Sequence, residues 1–151
     1  MAKRFKVSGI LYANGESIGL TKYRIAGDYL EELVNVSPKK IPVVSTTSKR
    51  YWNDPENLIG RAELEYVSDK GSPHITAHIT FNEQYRALYE GVLQSKDRTK
   101  LRLGFLIDSF TTPNEDDRVI HDGKIRMIAL SDTCLGGTIY KYGWEDNDEQ
   151  T

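Results

Sequence analysis

The segment HITAHITF, residues 74–81, alternates without a break: Ile75, Ala77, Ile79 and Phe81 on one parity, His74, Thr76, His78 and Thr80 on the other. Successive side chains of a strand point to opposite faces, so this pattern gives one apolar and one polar face. A half-buried antiparallel strand fits it best. The run before it, LIGRAELEYV (58–67), alternates through Ala62, Leu64 and Tyr66, and SDKGSP (68–73) supplies a turn between the two.

Short β-rich runs continue on either side. FKVSGILY (5–12) is a strand of looser alternation closed by Asn14-Gly15, and IPVV (41–44) is a brief buried strand. Leu101–Phe110 and Val119–Leu130 complete the set, the latter holding an Asp122-Gly123 turn before a final strand. Two stretches switch to helical spacing. Ile25, Tyr29, Leu30, Leu33 and Val34 predict a helix of about ten residues that stops before Ser37-Pro38. Tyr85, Leu88, Tyr89 and Val92 predict a second over Asn82–Leu93, with Asn82 as its cap. The order β-α-β-β-β-α-β-β is that of a small α+β domain, mainly antiparallel and barrel-like, with two helices. It is expected to span 1–144, with 145–151 as an acidic, flexible tail.

Composition narrows the function. At 151 residues the chain suits one domain of modest core. A net charge of -2 gives no field that would favour nucleic acid, and no run of about 18 apolar residues suits a membrane span. MAKRFKVSGILY lacks a continuous apolar core and a small-residue cleavage site, so no signal peptide is expected. The single Cys134 excludes an internal disulfide and any multi-cysteine metal site.

The residues that could carry chemistry are few. On a strand, His74 and His78 share a face but stand about 13 Å apart, too far to hold one ion without help from other strands. His121 is expected to be exposed beside the Asp122-Gly123 turn. Ser45, Ser48, Ser109, Ser131 and Cys134 are possible nucleophiles, and none has the setting of a nucleophile elbow. Gly136-Gly137 lacks the lysine and helix start of a phosphate loop. Lys49, Arg50, Tyr51 and Trp52 mix basic and aromatic groups, for which a core anchor or protein contact is the better reading at this net charge. No cofactor and no metal are expected.

Taken in order, the segments FKVSGILYA, IAGDYLEELV, IPVV, IGRAELEYVSDKG, ITFNEQYRALYEGVL, KLRLGF and GKIRMIALSDTC cover about residues 5–135. In that order and spacing the chain resembles the prohead (capsid maturation) proteases of tailed bacteriophages. These are serine proteases whose fold is similar to that of the herpesvirus assembly protease. KLRLGF looks like the family's L-S-I-G-F nucleophile strand, and IPVV like the strand leading to its catalytic histidine. The resemblance puts Arg102 at the serine position and Thr47 at the histidine position. A guanidinium stays protonated and cannot attack a carbonyl, and a threonine hydroxyl is no general base near neutral pH.

What the resemblance then implies is a pseudoprotease: a prohead-protease-like fold without a catalytic set, in which Arg102 faces the former cleft and pairs with Glu63, Glu65 or Asp108. The expected function is an auxiliary or decoration protein of the capsid, or another virion component. Such a protein would be made in the host cytoplasm and carried in the phage particle. Its partners would be other phage structural proteins such as the major capsid protein, reached through Tyr51, Trp52 and Trp144. Two alternatives stand beside it. One is an active maturation protease with shifted residues, such as Ser109 or Ser131 with His74 or His78, for which a hydroxyl and an imidazole within about 3 Å would speak. The other is an unrelated α+β binding module.

Overall fold

The alternating pair does fold back on itself. In the structure, a computed structural model that describes residues 3–18, 23–45, 57–68, 71–94, 101–108, 118–131 and 137–146, β4 (Leu58–Val67) lies antiparallel to β5 (His74–Phe81). Their register runs from Gly60 opposite Phe81 to Val67 opposite His74. Ile75, Ala77, Ile79 and Phe81 enter the core as their parity requires. β5 also pairs antiparallel with β1 (Lys3–Ala13), whose far edge takes β9 (Thr138–Asp146).

On the other side of β4 come β3 (Ile41–Val44), β8 (Lys124–Ser131) and β6 (Arg102–Asp108). The seven-stranded sheet thus has the order β6-β8-β3-β4-β5-β1-β9, and only the β3–β8 pair is parallel. A separate parallel ladder joins β2 (Arg24–Ile25) to β7 (Val119–Ile120). The expected α+β class with two helices and a mainly antiparallel sheet is therefore present.

Its two edge strands approach each other, so the sheet curls into a half-barrel. A Cβ on Gly9 would fall 2.7 Å from Leu103 Cδ1 and 2.8 Å from the Thr138 carbonyl oxygen. One on Gly137, where φ is +60°, would fall 2.5 Å from Leu103 Cβ. Larger residues at these two points would hold β6 away from β1 and β9.

α1 (Leu30–Val36) lies against β4, β5 and β8 and buries Leu30 and Leu33 completely. Its end is fixed by Ser37, whose hydroxyl donates to the Leu33 carbonyl at 2.6 Å and accepts the Ile125 N–H at 2.9 Å. α2 (Glu83–Gln94) follows Asn82, whose side-chain amide donates to the Leu58 carbonyl and ties the helix start to β4. Tyr89 of α2 stacks on Phe81 at 4.8 Å, Phe81 stacks on Phe5, and Phe5 meets Trp144 edge-on.

The structure corrects or adds to the sequence reading at four points. The first helix does not begin at Ile25: Arg24 and Ala26 donate their N–H groups to Arg118 and Ile120, so the backbone there is extended, and a 3₁₀ turn (Gly27–Tyr29) precedes α1. On α2, Leu88 is 61% exposed, while Tyr85, Tyr89 and Leu93 line the inner face at fourth-residue spacing. β7 pairs with β2 and not with β8 across the Asp122-Gly123 turn. β9 was not anticipated, and its Trp144, Glu145 and Asp146 sit opposite Phe5, Arg4 and Lys3.

Candidate functional site

The polar face of the β4–β5–β1 sheet carries the one hydroxyl–imidazole–carboxylate chain among the described residues. Ser8 on β1 is the cross-strand partner of His78 on β5, whose partner on the other side is Glu63 on β4. Ser8 Oγ lies 2.7 Å from His78 Nδ1, and His78 Nε2 lies 2.8 Å from Glu65 Oε1, one step along β4. An ionised carboxylate only accepts, so Nε2 carries a proton toward Glu65. In the neutral ring Nδ1 then accepts from the Ser8 hydroxyl. A serine proton could thus pass to a base oriented by a carboxylate, the polarity that nucleophilic catalysis needs.

The hydroxyl of this chain is enclosed. Ser8 is only 4% exposed and sits inside a strand flanked on both edges, by β5 and β9, so a reacting carbonyl has little access to its hydroxyl. An oxyanion hole needs unspent donors aimed at the reacting carbonyl. Lys141, opposite Ser8 on β9, is engaged with Glu145 at 3.0 Å. The chain Ser8–His78–Glu65 instead fastens three strands across their outer face. Next along that face, the Thr76 hydroxyl is buried with no hydrogen-bond partner among the described residues.

Beside His78 the face opens into a shallow groove of about 130 Å³, walled by Arg4, Lys40 and Arg61 with Glu63 opposing them and Thr80 in its lining. No group of His, Cys, Asp and Glu suited to a metal ion occurs among the described residues.

The residues singled out from sequence are dispersed. Arg102 opens β6 as an exposed residue whose cross-strand partner is Ser131 on β8. It does not pair with Glu63, Glu65 or Asp108: Glu65 is taken by His78, and Asp108 lies at the far end of β6 with Arg126 at 3.9 Å. Ser131 is buried away from His74 and His78, which sit on a strand not adjacent to β6 or β8. His74 binds the Ser72 carbonyl, and Ser45 is hydrogen-bonded to Tyr89. His121 is exposed, as expected, at the other end of β8 from Ser131. Thr47, Ser48, Lys49, Arg50, Tyr51, Trp52, Ser109, Cys134 and Gly136 lie outside the described residues.

Trp144 is both anchor and surface. Its ring meets Phe5, Arg86 covers it at 4.9 Å, its N–H donates to Glu90, and 45% of it remains exposed.

The strands around β8 have a defined order at the end that carries Ser131. β3 and β8 run parallel with Val44 beside Ala129, and β6 runs back with Gly104 beside the same Ala129. The end of β3 and the start of β6, which carries Arg102, therefore flank the same end of β8.

Set against protein-family models, curated proteins and solved structures, the chain matches none. No helix among the described residues is long and apolar enough to cross a membrane.

Proposed function

We propose that this chain is a non-enzymatic structural component of a tailed-bacteriophage particle, built on a prohead-protease-like fold and acting through protein–protein contacts. The observation that carries the reading is Arg102. It stands exposed at the start of β6, where the sequence resemblance expects a nucleophile, and neither strand flanking β8 at that end supplies an imidazole among the described residues. A permanently charged guanidinium there can bind but cannot acylate.

That β3 and β6 flank the same end of β8 supports the same reading, because the resemblance draws its site from the segments KLRLGF and IPVV, which form those two strands. For contacts the fold offers β9, an edge strand with Tyr140 57% exposed and Trp144 half-exposed. Edge strands and exposed aromatics both favour protein association. The partner is the major capsid protein or another virion protein. Co-sedimentation of the full chain with assembled shells of the phage that encodes it tests this. The chain is expected in the pellet at a fixed ratio, reduced by Tyr140→Ala, and its retention in the supernatant would overturn the reading.

A second reading rests on Ser8–His78–Glu65: a serine hydrolase whose residues differ from those the resemblance selects. Its hydroxyl–imidazole distance of 2.7 Å favours it, and the burial of Ser8 inside a strand flanked on both edges weighs against it.

A further inference from the structure

The groove beside His78 has a composition that the contact function does not use. Three permanent cations, Arg4, Lys40 and Arg61, come together there from three separate parts of the chain, against the single carboxylate of Glu63. Among the described residues Lys40 and Arg61 have no ion-pair partner, while other charges on the same face are matched: Lys6 and Lys141 with Glu145, and His78 with Glu65. A chain of net charge -2 that leaves cations unmatched at one concave point keeps a local positive field there.

We infer that this groove binds a single oxyanion group, a phosphate or a carboxylate. Guanidinium groups present paired N–H donors that match such oxygens, and the ammonium of Lys40 adds a point charge. The Thr80 hydroxyl in the lining adds a neutral donor, and Ser8 and Glu65 hold the His78 ring fixed beside it. Size sets the class. At about 130 Å³ the groove is well below the roughly 300 Å³ at which pockets begin to enclose whole small molecules. It therefore takes one anionic group, with the remainder of its bearer outside.

The test is a titration of the isotope-labelled full chain with inorganic phosphate and, separately, with acetate, followed by amide NMR at constant ionic strength. Saturable shifts confined to Thr80, His78 and their neighbours are expected. They should weaken about tenfold in Lys40→Gln/Arg61→Gln and stay unchanged in Arg126→Gln, which removes an exposed cation elsewhere. Glu63→Gln, which removes the opposing charge and needs no cation deleted, should tighten binding. A response to both anions assigns the groove to carboxylates and phosphates alike, and a response to phosphate alone to dianions. Shifts that do not saturate or that spread over all surface cations overturn the proposal, as does an affinity that Glu63→Gln leaves unmoved.

Discussion

Ser8 and His78, seventy positions apart in the chain, are joined by a 2.7 Å hydrogen bond across the β1–β5 pairing. As a strand fastener this bond has a stability role. Ser8→Ala should lower unfolding stability by about 1 kcal/mol in urea denaturation, with the fold retained. The same protein settles the second reading. Incubated with a fluorophosphonate and weighed intact, the native chain should gain no adduct, whereas an adduct lost in Ser8→Ala would make Ser8 a nucleophile.

Tyr12 links β1 to β2. Its hydroxyl donates to the Glu16 carbonyl and accepts the buried Ile25 N–H at 2.9 Å. Tyr12→Phe leaves that N–H unsatisfied and should cost about 1–3 kcal/mol in the same denaturation assay.

The alkaline limit of stability follows from the same residue and two others. Burial pushes the Tyr12, Tyr29 and Tyr89 phenols above the ordinary tyrosine value of 10.0. The folded state thus holds protons that the unfolded chain releases. Their contribution is complete below pH 10 and is lost as pH rises from there through the folded values. Thermal melts between pH 9 and 11, in about half-unit steps, should show Tm falling above pH 10, with a shallower fall in Tyr89→Phe.

The acid limb has a smaller term of opposite sign. Glu145 is held below its ordinary value first by its hydrogen bond from Lys141, then by the charges of Lys141 and Lys6. Its contribution is present above the unfolded value of 4.5 and disappears as pH falls through the lower folded one. A third of this side chain is exposed, so screening limits the effect to about 0.5 kcal/mol or less. Glu145→Gln should flatten the acid limb of a pH–stability curve by no more than that.

Ser37 is the most exposed to a single-atom change in the core. Its hydroxyl satisfies both the Leu33 carbonyl and the Ile125 N–H while only 7% exposed. Ser37→Ala should destabilise by about 1–3 kcal/mol, and the Ile125 amide should lose hydrogen-exchange protection more than the amides of β5 do.

Where period and position agreed, the sequence was legible. β4 and β5 have the bounds that alternation predicts, because their pairing with each other runs from Gly60 and Phe81 to Val67 and His74 without a shift. β9 was hidden for a geometric reason. Its pairing with β1 shifts between Ser8 and Gly9, which leaves Tyr140 as an extra residue, so the residues opposite Phe5, Val7 and Gly9 are Trp144, Tyr142 and Ile139. The parity breaks at the bulge and no period of two survives. On β1 the shift between Ile10 and Tyr12 does the same, and Leu11 and Tyr12 are both buried.

The candidate site was illegible for a different reason. Ser8 and Glu65 lie on the polar parity of their own strands, but their closeness to His78 depends on the β1–β5–β4 order and register, which no local pattern encodes. The cations of the groove stand at positions 4, 40 and 61, and only the β3-β4-β5-β1 strand order collects them.

A structural component of a phage must be found in the particle itself. Particles should be purified on a density gradient from lysates of the host that carries this gene, and their proteins quantified by mass spectrometry. The intact chain is expected in the particle fraction, at a constant ratio to the major capsid protein across the peak. Its absence from particles, with the chain left in the soluble fraction of the same lysate, would contradict that role.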